Sequence, residues 1–162
     1  MNLIALSPIW LAWIFAALLV AAAIQDAVKL RISNILVLGV IAGAIVAMVL
    51  AGLDIALWQN FAVFAGLLII GTPFFAAGKM GGGDVKLLAA TGLWFDLRGA
   101  LMMIASVFIA GGILALLIIL ARLFGWSDAT RERIHILRKA GGIPYGVAIS
   151  AGALIAAWVM RG

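Results

Sequence analysis

Apolar positions in this chain do not alternate with polar ones; they come in long unbroken runs, punctuated by short polar or glycine-rich breaks. Five runs are long enough to span a bilayer as helices: Leu6–Ile24, Ile32–Ala51, Asn60–Ala77, Gly99–Leu123 and Pro144–Met160. A helix rises about 1.5 Å per residue and needs roughly 20 apolar residues to cross a core of about 30 Å. Pro8 falls in the first turn of the first run, Asn34 near the start of the second, and Gly71–Pro73 should bend the third. Between the third and fifth spans lies a shorter run, Asp84–Phe95, introduced by the glycines Gly81, Gly82 and Gly83. At about 18 Å this fourth helix is too short to cross unaided. It needs neighbouring irregular backbone, which lipid tolerates only where protein or water covers it. The predicted fold is an all-α membrane protein, a six-helix transmembrane bundle with a short fourth helix, forming one domain over residues 1–162.

Composition agrees with that solvent. The chain is 67% hydrophobic and only 10% charged, against about 45–50% and about 25% for an ordinary soluble domain. Too little polar surface remains to cover a water-exposed globule. The first run has no Lys or Arg before it and ends in Q-D-A-V-K-L-R rather than a small-x-small cleavage site. It is also longer than a signal-peptide core of about 7–15 residues, so it reads as a mature transmembrane helix. Cysteine is absent, which excludes disulfides and thiolate metal sites. A metal would have to rest on His135 and six scattered carboxylates, so no metal or cofactor is expected, and no nucleic-acid partner.

The cations orient the bundle. Lys29 and Arg31 follow the first span, Lys79 and Lys86 flank the glycines, and Arg122, Arg131, Arg133, Arg138 and Lys139 follow the fifth; the alternate connections hold only Arg98 and Arg161. By the positive-inside rule the basic loops are cytoplasmic and both termini lie outside. The polar stretch after the fifth span reads as a juxtamembrane loop, with a short interfacial helix against anionic lipid and His135 as a solvated side chain.

Solvated loops account for four of the six acids: Asp54, Asp96, Asp128 and Glu132. Asp26 and Asp84 differ, because each sits where an apolar span meets the cytoplasmic face. Asp26 is expected to close the first helix and Asp84 to open the fourth. An ionisable residue at membrane depth is costly unless relieved, and marks a functional site by default. A structural account also exists for each. Asp84 suits a helix N-cap, and Asp26 an interfacial ion pair with Lys29 or Arg31. Two carboxylates a few ångströms apart share one proton. One then acts as general base on a water that attacks a peptide carbonyl, while the other polarises the carbonyl and protonates the leaving amine. Gly81, Gly82 and Gly83 would let a substrate backbone approach and let the chain adopt turns barred to other residues. A proton relay or small transporter built on the same two acids is the alternative, and a purely structural membrane subunit a third.

Three motifs carry a resemblance. G-G-G-D at 81–84 is similar to the G-x-G-D signature of intramembrane aspartyl proteases. D-A-V-K-L-R-I-S-N at 26–34 resembles the first-aspartate motif of type IV prepilin peptidases, with Ser33 where that family usually has proline. G-I-P-Y-G-V-A-I-S-A-G at 142–152 resembles the Pro-aromatic-Gly start of the family's last helix. The motifs stand in the family's order and cover nearly the whole chain. Its small size looks most like the short peptidases of tight-adherence (Flp) pilus systems. The resemblance implies catalytic Asp26 and Asp84 and substrate contacts from Gly81, Gly82, Gly83, Lys79 and Lys86. It implies as partners the lipid bilayer and a prepilin, whose basic leader is cut after a glycine at the cytoplasmic face of the bacterial inner membrane. Lys79, Lys86 and the loop arginines would then meet the acidic residue that pilins carry early in the mature helix. Larger members carry a cysteine-bearing segment and N-methylate the product; this chain has no cysteine, so methylation is not carried over. Losing proline at Ser33 should leave the second helix's start less rigid.

Overall fold

The computed structural model describes residues 1–123 and 144–162. The polar stretch at 124–143, with His135, Asp128, Glu132 and most of the loop cations, lies outside the described residues. Seven α-helices and one 3-10 turn make up the described part, and it contains no strand. In chain order they are α1 (Leu3–Leu6), α2 (Ile9–Lys29), α3 (Asn34–Ala51), the 3-10 turn Ile55–Leu57, α4 (Trp58–Ala76), α5 (Gly82–Gly92), α6 (Leu97–Leu123) and α7 (Tyr145–Arg161). Four segments are long and apolar enough to cross a membrane: α2, α3, the 3-10 turn with α4, and α6. The two remaining predicted spans are the short α5 and the 17-residue α7.

Local chemistry explains where the boundaries moved. Pro8 is the N-cap of α2 rather than part of its first turn. At the other end α2 runs five residues past Ile24, through Gln25 to Lys29, and stops at Leu30 in a left-handed conformation. Loss of hydrophobicity ends a lipid-facing stripe, but helical hydrogen bonds persist through good helix formers such as Gln and Lys. Asp26 therefore lies inside the last turn of α2, not at a helix end. Ser33 caps α3, its Oγ accepting from the Ile35 N–H at 3.2 Å. Such a cap is worth about 0.5–2 kcal/mol, so the missing proline costs the helix start little.

Helix α4 passes through Pro73 and stops three residues later in a Schellman turn. There the N–H groups of Gly78 and Lys79 donate to the carbonyls of Phe75 and Phe74, both at 2.9 Å, with Gly78 at φ +68. Helix α5 starts two residues before Asp84, with Gly81 as N-cap, so Asp84 is not a cap but the third helical residue.

At 11 residues, α5 is about 16 Å long, and protein completes the rest of its depth. The N–H of Leu3 in α1 donates to the Trp94 carbonyl at 3.0 Å, and Asn60 Nδ2 donates to the carbonyls of Leu93 (3.0 Å) and Met1 (2.9 Å). Both Leu3 and Ile4 are buried, so α1 acts as a plug beneath the short helix. Arg161 holds the plug from α7, donating to the carbonyls of Ile4 at 2.9 Å and Ser7 at 3.0 Å. Trp94 ties the end of α5 to α3 through Nε1 on the Val40 carbonyl at 3.0 Å, and its ring leans on Phe15 with centroids 4.5 Å apart.

Small residues let the helices approach, as association in lipid requires. The inner face of α7 is Gly146, Ala148, Ser150, Gly152, Ala153, Ala156 and Ala157, interleaved with Ile149. A Cβ on Gly152 would collide with the backbone of Val107 in α6, which has no flexible end to move aside. Gly152→Ala should therefore lower the thermal midpoint in detergent by several degrees, an overpacking loss on the order of 1–3 kcal/mol. Gly112→Ala, on the same α6 where a Cβ would meet nothing within 4 Å, should leave it unchanged.

Candidate active site

The last turn of α2 and the first turns of α5 and α7 meet at one end of the bundle. Asp26, 3% exposed, comes from α2. Its Oδ2 accepts from the Gly146 N–H at 2.7 Å. Gly146 is the second residue of α7, whose first N–H groups have no partner within the helix and carry its positive end. The acid is therefore anchored by a helix terminus; among the described residues it pairs with neither Lys29 nor Arg31. The contact demands glycine at 146, since a Cβ there would sit 2.9 Å from both Cβ and Oδ2 of Asp26 and 2.7 Å from Ile32 Cδ1.

Asp84 occupies the first turn of α5 and is 8% exposed. Its Oδ2 reaches back to accept from the Gly81 N–H at 3.1 Å, half of a capping box. Its Oδ1 is buried and has no hydrogen-bond partner among the described residues. A buried polar atom left unsatisfied costs about 1–3 kcal/mol and calls for an explanation.

Both aspartates line one cavity of about 190 Å³, together with Leu30, Arg31, Ile32 and Gly81–Gly83. That is smaller than the roughly 300–1,000 Å³ of a drug-sized pocket, and fits a short piece of main chain with a water.

None of the three glycines has a positive φ, so their expected role in turns barred to other residues does not hold. Close packing crowds all three instead. A Cβ on Gly81 would lie 2.7 Å from Asp84 Oδ2, one on Gly82 would meet the Phe75 ring at 3.1 Å, and one on Gly83 would press on Ile32 Cβ, N and O at 3.1–3.3 Å. Lys79 and Lys86 are exposed and neither lines the cavity; Lys86 Nζ donates to Asn34 Oδ1 at 3.3 Å. Asp54 and Asp96 lie at the other end, accepting from the local N–H groups of Ala56 and Gly99. No group of three or more His, Asp or Glu suited to a metal occurs among the described residues. Reasoning from sequence missed Arg31, Ile32 and Gly146 as parts of the site. All three stand inside the motifs at 26–34 and 142–152, so the signal was present without the contacts that give it meaning.

The family model for the type IV leader peptidase family matches residues 13–116, nearly two-thirds of the chain, including Asp26, the three glycines and Asp84. The chain belongs to the type IV leader peptidase family. Comparison with curated proteins and with solved structures returned no match. Family membership and the four apolar spans together make it a membrane-embedded protease. The match ends before α7, so the glycine amide that holds Asp26 comes from outside the matched part.

A leader peptidase whose aspartate rests on this amide should be sensitive to one methyl group. Gly146→Ala should lower kcat for leader cleavage by at least about tenfold where Asp26 is a reacting group, since misplacing such a group by about 1 Å can cost a hundredfold. Gly78→Ala, in the turn before α5 where a Cβ meets nothing within 4 Å, should affect stability more than kcat. Steady-state cleavage of a prepilin with the two purified variants checks this.

Proposed function

We propose that this leader peptidase is an aspartyl endopeptidase in which Asp26 and Asp84 together activate water against a peptide bond of a prepilin. The observation that supports this reading is the shared cavity: two buried carboxyls from different helices, both on one small space at one end of the bundle. Close carboxyls titrate as a pair and hold one proton between them. The ionised carboxylate takes a proton from water as its oxygen bonds to the carbonyl carbon, while the protonated carboxyl donates to the carbonyl oxygen. The tetrahedral intermediate collapses when the C–N bond breaks: the amine leaves with the proton taken from water, and a hydroxyl of the intermediate returns its proton to the carboxylate that had donated one as the C=O bond reforms. Both carboxyls return to their starting state.

The substrate in this reading is a short basic leader followed by glycine and an apolar helix, of the tight-adherence (Flp) type. Cleavage falls at the cytoplasmic surface of the inner membrane, since Lys29, Arg31, Lys79 and Lys86 surround the cavity end, whereas Arg98 and Arg161 lie at the other. With α5 and its plug counted as one crossing and α7 as another, residues 1–162 form a single six-span domain with both termini outside. The glycines 81–83 border the path of the substrate backbone, and no N-methylation is assigned.

Asp26→Asn and Asp84→Asn should each reduce leader removal by at least about a hundredfold, the usual worth of a general acid or base. Both should still insert and fold. Co-expression with a prepilin, scored by the loss of leader mass, reads the result. Retention of cleavage by either variant would return that aspartate to a structural role and revive the proton-relay alternative.

A further inference from the structure

Leu30, Arg31 and Ile32 form the strap between α2 and α3 and close one side of the cavity. Leu30 is the single non-glycine residue with positive φ among the described residues, at φ 50 and ψ 37. This conformation costs a side-chain-bearing residue roughly 1–2 kcal/mol, and it persists only where surroundings enforce it. The strap is held from both ends. Ser33 N–H donates to Gln25 Oε1 at 2.6 Å, and Leu30 N–H donates to the Asp26 carbonyl at 2.8 Å. Ile32 is fixed in the middle, its backbone against Gly83 and its side chain against Gly146. The direction in which residue 31 leaves the strap is therefore set by the same contacts that set the two aspartates.

Arg31 itself is exposed and makes no hydrogen bond or ion pair among the described residues, although two carboxyls line the same cavity. Among the cations described at this end, Lys86 is engaged with Asn34, and Lys29 and Lys79 do not line the cavity. A guanidinium is a planar fork suited to a carboxylate. Here it stands unpartnered on a fixed backbone at the edge of a reaction site. We propose that Arg31 is a specificity-determining residue that receives a substrate carboxylate, an Asp or Glu side chain within a few residues of the scissile bond. The proposal rests on the peptidase reading above and moves the task first expected of Lys79 and Lys86 to the cation that borders the cavity. A lipid phosphate would also satisfy an interfacial arginine, but would not make the enzyme choose among peptides.

The test uses the full chain in lipid nanodiscs and a panel of membrane-inserting peptides of leader–glycine–apolar helix design. Glu, Gln or Lys is placed at single positions on either side of the cleaved bond. Wild type should cleave one Glu peptide with kcat/KM about tenfold above its Gln partner, mainly through KM. Arg31→Gln should erase that preference, Arg31→Lys keep part of it, and Arg31→Glu turn it towards the Lys peptide. An unchanged Glu-to-Gln ratio in Arg31→Gln at every position overturns the proposal. So does a loss in Arg31→Gln that is equal for all peptides and disappears in nanodiscs without anionic lipid, which assigns the guanidinium to headgroups. If wild type and Asp84→Asn are equally inert towards every peptide and towards whole prepilin, the peptidase reading itself falls, and this one with it.

Discussion

Two carboxyls must be kept out of lipid, and helix N-termini supply the means. Asp26 takes the Gly146 amide at the start of α7, and Asp84 takes the Gly81 amide at the start of α5. Each is an N–H that no carbonyl in its own helix would satisfy. The arrangement fixes much else. Both helices must begin at the same end of the bundle, and α2 must continue past its apolar stretch to bring Asp26 to that level. The residues at the contacts must lack a Cβ. Glycine at 81, 83 and 146 is thus a consequence of packing around carboxylates, and Ile32 fills the gap between two of those backbones.

Beginning α5 at the acid leaves it too short for the membrane, and the opposite end of the fold answers that shortage. The Leu3 N–H and Asn60 Nδ2 satisfy the carbonyls of Trp94 and Leu93 where α5 stops, while Trp94 Nε1 on Val40 and Arg161 on Ile4 tie that end to α3 and α1. Irregular backbone survives at membrane depth only under such cover. The two ends of the bundle therefore divide the work, with the buried carboxyls at one and the structural correction for a short α5 at the other.

Much of this was legible beforehand, and the reasons differ by element. Apolar runs located α3 and α4 almost to the residue, because lipid exposure and helical length coincide there. The end of α2 was misjudged because hydrophobicity and hydrogen bonding part company at Gln25. Helix α1 was invisible: four residues have no periodicity, and its stability comes from partners at positions 60, 94 and 161. Asp26 and Asp84 stood out by the cost of an acid at membrane depth and were read as a catalytic pair, with an N-cap for Asp84 and an ion pair for Asp26 as the structural accounts beside it. The glycines were read as leaving room for a substrate backbone and as allowing turns barred to other residues; their φ values remove the second reason, and the contacts of Gly81, Gly83 and Gly146 show crowding by the protein itself. Arg31 was passed over because an interfacial cation is ordinary; one that lines a cavity without a partner among the described residues is not.

Everything here turns on residues 26 and 84 facing one small space in the inserted protein. The chain has no cysteine of its own, so Asp26→Cys with Asp84→Cys can be treated in native membranes with dibromobimane, which fluoresces strongly only after bridging two nearby thiols. A shared cavity predicts bright, intramolecularly bridged monomer for this pair, and background signal for each single variant and for Asp26→Cys with Asp96→Cys. Background fluorescence from the 26/84 pair, with both thiols still titratable after denaturation, would contradict it.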